Sequence, residues 1–369
     1  MNYEIEFHPV GDATKAGDAI SVRYGHNGQY EVVVVDGGTS DSGQALVDHI
    51  QRYYGPSTVI AHVVSTHPDT DHASGLREIL KTFRVENLWL HGIWHHASEL
   101  RPYFADKRFS DQGLADKIRK EYPIIEELLD LARKQETPVY EPFQGARVGP
   151  FTVLSPTRYA YLRLVPQFRK TPEPDIEALK QENFWLGESR QAGLLGKLLE
   201  KAISWIDERW DVELLREGAV TAAENETSTV LYGQFGQEAV LLTGDAGVNA
   251  LRWACDWAKG SGIDLSTLNL VQVPHHGSRS NVTPTILDRL LGPKLPAYAS
   301  PKRMAVVSSP KDDEKHPRKM VMTAFRRRGA PVHKTQGIYI RHHSGVMPRR
   351  DNESPSVPFD WFDQVENYD

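Results

Sequence analysis

The strongest limit on this fold is an apolar run that stops abruptly at a knot of ionisable side chains, "VIAHVVSTHPDTDHASGL", residues 59–76. The β-branched residues up to Val64 read as a strand, and "ASGLREILKTF" has helical spacing. His67, Asp69, Asp71 and His72 therefore fall on the turn between them, at the carboxyl edge of a sheet, where open α/β sheets place their ligands. On a tight turn the alternate residues His67, Asp69 and Asp71 can point into one cleft, with His72 beside them. Carboxylates this close repel one another unless a cation lies between them. Imidazole and carboxylate are also ligand types for a divalent transition metal.

Two later segments repeat the arrangement. "AVLLTGDAG" brings an apolar run to a stop at Asp245, and "LVQVPHHGSRSN" does so at His275 and His276. Around them, strand patterns ("YEIEFHPV", "DAISVRYG", "QYEVVVVDGG", "VENLWLHG", "MAVVSSP") alternate with helical ones such as "SDSGQALVDHIQRYYG", for which Ser40 or Asp41 is the expected N-cap. "STVLYGQFGQEAVLLTGD" predicts a hairpin around Gly233 to Gln237. Alternation of this kind means an α/β fold. Residues 160–220 break the rhythm with helical spacing and no strand signal, and predict a helical insertion packed through Leu194, Leu195, Leu198, Leu199, Ile203 and Ile206. The main domain is expected over 1–345, with an irregular polar tail over 346–369.

Composition narrows the function classes. Cys255 is the only cysteine, so any metal site draws on His, Asp and Glu and no internal disulfide exists. There is no apolar stretch of membrane-spanning length and no signal-peptide pattern at the start, so a cytoplasmic protein with no membrane association is expected. The formal net charge of −6 argues against coating nucleic acid by charge alone. Residues 301–350 nevertheless hold thirteen Lys/Arg against three acids, which suits a phosphate-bearing substrate or a solvated surface equally well.

Taken together, "HPDTDH", "LLTGDAG" and "PHHGS" in that order resemble the metallo-β-lactamase superfamily, and within it are most similar to the hydrolase domain of ComEC-type competence proteins. That group carries H-x-D-x-D-H, as at His67-Pro-Asp69-Thr-Asp71-His72. "AGDAISV", "VDGG", "VLSP", "ENETSTVL", "KHP" and "KTQGIYI" fall in the group's order. The resemblance implies a four-layered αββα sandwich and two divalent metal ions, Zn or Mn. His67 and Asp69 would hold one ion, Asp71 and His72 the other, with Asp245 bridging. His275 is the expected remaining ligand of the second site, and His276 a ligand or proton donor. The superfamily's usual second histidine is Asp69 here, and its third first-site histidine lacks a counterpart, with Glu224 or Asn225 near that place. His91, His95 and His96 read as surface histidines rather than substitutes.

The implied chemistry is attack of water on phosphorus, with Asp71 at the reacting centre and His316 of "KHPRK" donating the leaving-group proton between Lys315 and Arg318. Ser278 and Ser308 could hydrogen-bond a phosphate, and Asp36, with Asp18 behind it, could orient a ligand histidine. A phosphodiesterase or nuclease acting on nucleic acid is the first expectation. The alternatives are a hydrolase of a small molecule (cyclic nucleotide, lactone or thioester) and a component controlled by a protein partner in a larger assembly such as a defence system.

Overall fold

The computed structural model describes residues 1–12, 16–186, 204–351, 356–359 and 361–368. Its strands in chain order begin with β1 (Asn2–Phe7), β2 (Ala19–His26), β3 (Gln29–Gly37), β4 (His62–Val64), β5 (Leu88–Trp89) and β6 (Val139–Tyr140). β7 (Arg147–Val148), β8 (Phe151–Ser155), β9 (Trp205–Asp207), β10 (Val230–Phe235) and β11 (Glu238–Leu242) follow. The last are β12 (Leu270–Gln272), β13 (Met304–Val307), β14 (Val332–Lys334), β15 (Ile340–Ser344) and β16 (Gln364–Glu366). One seven-stranded sheet has the order β15-β1-β2-β3-β4-β5-β6, and a second the order β14-β13-β12-β11-β10-β8-β7.

The four valines of β3 show why the sheets stack. Val33 and Val35 enter the core between the two sheets with Tyr3, Ile5, Phe7, Leu231, Val240 and Leu270. Val32 and Val34 face the other way, onto Leu46 and Ile50 of the helix Ser40–Tyr53. Residues alternating across a strand thus serve two cores, each buried valine contributing about 1.5–3 kcal/mol. The helices Val248–Gly260, Pro284–Leu291 and Lys319–Arg327 bury the outer face of the second sheet. The layers are helix, sheet, sheet, helix: the expected αββα sandwich.

Several local expectations are corrected. The cap of the helix Ser40–Tyr53 is Thr39, whose Oγ1 accepts the Ser42 N–H at 3.3 Å. Within the 160–220 region, "WID" is a strand: β9 pairs with β16 from the C-terminal tail, Val365 opposite Ile206. The tail is therefore not simply irregular. Its β16 returns to the body of the protein, where Glu366 accepts the backbone N–H of Lys319 at 2.9 Å and so caps the helix Lys319–Arg327. Leu194, Leu195, Leu198, Leu199 and Ile203 lie outside the described residues. Among those described, no helix is long and apolar enough to cross a membrane.

A close approach of three glycines holds the motif turn in place. A Cβ on Gly75 would lie 1.9 Å from the Gly37 carbonyl oxygen, and one on Gly43 would lie 2.4 Å from the Gly75 Cα. The helix Ser40–Tyr53 and the end of β3 therefore touch the turn backbone to backbone. Gly75→Ala is expected to push the turn off its seat and to cost about 1–3 kcal/mol, read as a lowered thermal unfolding midpoint. An unchanged midpoint would show that the contact is slack.

Candidate metal centre

The parallel pairings of β3 with β4 and of β11 with β12 and β13 bring their carboxyl ends to one edge of the sandwich. Asp36 ends β3, the His67–His72 turn follows β4, Asp245 follows β11 and His275–His276 follow β12. Thr229, just before β10, ties the two sheets together there, its N–H donating to the Thr66 carbonyl at 3.0 Å. Asp36, His275 and His276 all adopt positive φ, at 54°, 46° and 55°. Such backbone costs of order 1–3 kcal/mol per residue and is retained where surrounding contacts over-determine it.

Those contacts are hydrogen bonds that aim each imidazole. His72 donates Nδ1–H to Asp36 Oδ2 at 2.9 Å. His67 Nδ1 lies 3.0 Å from Thr66 Oγ1, which itself donates to Asp36 Oδ2 at 2.6 Å. His276 Nδ1 donates to the Ser308 carbonyl at 3.1 Å, and His275 Nδ1 to Asn281 Oδ1 at 2.8 Å. With each Nδ1 committed, the Nε2 atoms are left to face a ligand: those of His67 and His72 have no hydrogen bond, while Asn225 Nδ2 lies 3.4 Å from His275 Nε2. All four face one carboxylate. His72 and His276 Nε2 lie 3.4 and 3.7 Å from Asp245 Oδ1, while His67 and His275 Nε2 lie 3.8 and 3.6 Å from Oδ2.

His67 Nε2, His72 Nε2 and Asp245 Oδ1 are buried without a hydrogen bond. Buried polar atoms without partners are costly, and here they converge. The donors are the nitrogens and oxygens that divalent transition ions take, so the residues fit such an ion. Charge agrees. Burial opposes a charged His72, but Asp245 and Asp36 raise its pKa well above the usual imidazole value. Burial also opposes a charged Asp245, yet His275, His72 and His276 hold its carboxyl well below the usual range. Burial pushes His276 down to about 3 and lifts Asp18 to about 7.

Asp245 divides the surrounding groups. On the Oδ1 side, ligand atoms of Asp71, His72 and His276 all lie within 4.8 Å of one another. The Oδ2 side holds His67, with Asp69 Oδ2 3.9 Å from its Nε2, and His275. Of the two adjacent histidines it is His276, left open as ligand or proton donor by the sequence, that stands with Asp71 and His72, while His275 stands on the Oδ2 side. Strand alternation could not separate them, because both residues sit in left-handed backbone on a turn rather than in a strand.

His316 is in none of these clusters among the described residues. Its Nδ1 lies 3.1 Å from Asp313 Oδ2, and it adjoins the centre through its neighbours: Pro317 packs on Gly277, and the Arg318 N–H donates to the Gly277 carbonyl at 3.1 Å. Ser308 serves the site through its carbonyl. His91 and His96 are buried, contrary to the surface reading: His91 stacks on Tyr161 at 4.3 Å, and His96 lies 2.8 Å from Glu141. They stand apart from the Asp245 cluster.

Several residues here carry no motif signal. Gln272 accepts the N–H groups of Thr243 and Gly244 and donates to Asp18, fixing the loop that bears Asp245. Asn281 donates to the Asp245 carbonyl at 2.8 Å. "ENE" splits three ways. Glu224 binds Arg169, Asn225 donates to Asp245 Oδ2 at 3.3 Å, and Glu226 accepts the Asn249 and Ala250 N–H groups at the start of the helix after Asp245. Arg169 also reaches Asp69 Oδ2 at 3.1 Å. Four of the thirteen basic residues of 301–350 are spent internally. Arg327 and Arg328 pair with Glu208, Glu213 and Asp288, and Arg341 and Arg350 with Glu4 and Glu6, all four guanidinium groups being buried.

The family model described as the metallo-beta-lactamase superfamily matches residues 22–158. No curated protein matches the chain. Solved structures similar to it include hydrolase AbOPH of the beta-lactamase superfamily, at 10% identity over 62% of this chain and 56% of that one, TM-score 0.27. The CmlA beta-hydroxylase E377D mutant matches at 11% identity over 93% and 54%, TM-score 0.42. Zn(2+)-bound PqqB from Methylobacterium extorquens matches at 10% identity over 91% and 99%, TM-score 0.38. This chain thus spans about half the length of AbOPH and of CmlA and nearly all of PqqB. The segment matched by the family model runs from within β2 to just past β8 and holds the His67–His72 turn.

Proposed function

We propose that this protein is a metal-dependent hydrolase acting on phosphodiesters, related in its site to the ComEC-type hydrolases. The observation that carries the reading is the convergence of four imidazole Nε2 atoms on Asp245, with Asp69 and Asp71 beside them. Asp71, His72 and His276 would hold one divalent ion, Zn or Mn, and His67, Asp69 and His275 a second, with one Asp245 oxygen to each. Such ions supply the charge that makes water nucleophilic near neutral pH and polarises a phosphoryl oxygen. Around them the chain's own groups hold the geometry: Asp36 and Thr66 keep the motif histidines in one tautomer, and Asn281 and Gln272 keep Asp245 in place. Asp313 fixes the ring of His316, which we assign the leaving-group proton.

The test is hydrolysis of bis-p-nitrophenyl phosphate by metal-loaded protein. Wild type is expected to turn over and Asp71→Ala to lose activity at least a hundredfold. Equal rates for the two would end the reading.

Internal pairing of Arg327, Arg328, Arg341 and Arg350 leaves less basic surface for a polymer than the sequence suggested, which favours a small phosphodiester over nucleic acid. Salt separates the two substrates. Six phosphate contacts would lose about a thousandfold in affinity between roughly 50 and 200 mM salt, a small diester very little.

A further inference from the structure

The two oxygens of Asp245 are treated differently by the chain. Oδ1, facing His72 and His276, takes no hydrogen bond. Oδ2, facing His67 and His275, accepts the Asn225 side-chain N–H. The other carboxylate on that side is engaged too. Asp69 Oδ2, the oxygen 3.9 Å from His67 Nε2, accepts from Arg169 Nη2 at 3.1 Å. On the His67 side the chain's own donors thus engage one oxygen of each carboxylate, whereas Asp245 Oδ1, on the His72 side, is left without a donor.

Arg169 is not a surface arm resting there by chance. Glu224, buried, accepts both its backbone N–H at 2.6 Å and its Nε–H at 3.2 Å through Oε1. A buried carboxylate with a cation so held fixes the root of the side chain, while the Nη2 contact to Asp69 can be given up without breaking either bond to Glu224. A guanidinium at a ligand oxygen takes up its lone pairs and repels an incoming dication.

We infer that the two sides of Asp245 load unequally: the Asp71, His72 and His276 side takes the first divalent ion, and Arg169 competes with a second ion for Asp69 on the His67 side. Arg169 is thus a positioning residue that sets the occupancy of the second site, and it comes from a segment outside every metal-ligand motif. The inference rests on the metal reading above.

The test is equilibrium titration of the full chain with Mn²⁺ and separately with Zn²⁺, counting bound ions directly. Wild type is expected to bind one ion tightly and a second at least tenfold more weakly. Arg169→Met should tighten the second at least tenfold and leave the first unchanged, with Arg169→Lys, which keeps the charge without the fork, in between. Asp69→Asn should remove the second ion and spare the first. Two ions of equal affinity in wild type, or an Arg169→Met protein with an unaltered second affinity, would overturn this inference while leaving the metal reading intact. A protein that binds no ion at all would take down both.

Discussion

Asp245→Asn is expected to abolish stoichiometric metal binding and to lower kcat/KM on a phosphodiester by at least about a thousandfold, which is about 4 kcal/mol of transition-state stabilisation. The size of the effect follows from geometry. Four imidazole nitrogens face this one carboxylate, two to each oxygen, so the substitution removes charge from both halves of the centre at once. Replacing one histidine removes a ligand from a single half. The fold should survive, because Asn281 and the Thr243 turn hold the backbone of Asp245 rather than its side chain. The asparagine variant keeps the shape and deletes the charge, so a far-ultraviolet spectrum like wild type with no retained metal is the predicted pair of observations. An Asp245→Asn protein that keeps its ions after gel filtration would show that the remaining ligands hold them without this carboxylate's charge.

How much of this centre could be read from the chain depends on where its information sits. His67, Asp69, Asp71, His72, Asp245, His275 and His276 were legible because ligand-type residues crowd the ends of apolar runs, and parallel strands carry such ends to one edge. The strand carrying Val32 to Val35 was legible for a similar local reason. Arg169 was not. In "QFRKTPEPD" it is one of two adjacent basic residues, and only the fold brings it to Asp69, a hundred positions earlier. The pairing of β9 with β16 was hidden too, since three residues at each end of so long a separation leave no periodic signal. Basic residues misled most. A guanidinium on a surface and one buried against a glutamate look alike in sequence, and Arg327, Arg328, Arg341 and Arg350 are of the second kind.

That second kind carries the other large prediction. β1 sends Tyr3, Ile5 and Phe7 between the sheets, so Glu4 and Glu6 point the opposite way, and both are wholly buried. Glu4 accepts from Arg23 at 2.7 Å, Arg341 at 2.8 Å and Arg350 at 2.6 Å. Glu6 accepts from Arg350 at 2.9 Å and from Tyr54 at 2.5 Å, and lies 2.9 Å from His49 Nε2. Arg350 is the only one of these partners from the C-terminal tail, so it fastens that tail to the first sheet. Arg350→Met leaves two buried carboxylates short of a cation and is expected to cost about 3–5 kcal/mol. Acidity gives an independent reading. Burial would raise the Glu6 pKa, but His49 and Arg350 together hold it well below the ordinary 4.5. A carboxyl depressed in the folded state contributes stability that is present above its unfolded pKa and lost as pH falls below it. Wild-type stability should therefore decline from about pH 4.5 downward, and in Arg350→Met, where Glu6 has lost one of its cations and its folded pKa moves back toward the unfolded value, the acid decline should be smaller and level off at higher pH. Urea unfolding at pH 7 and at a series of acid pH values checks both statements. An Arg350→Met protein as stable as wild type at neutral pH, with the same acid limb, would mean that the remaining cations and Tyr54 satisfy the pair without the tail.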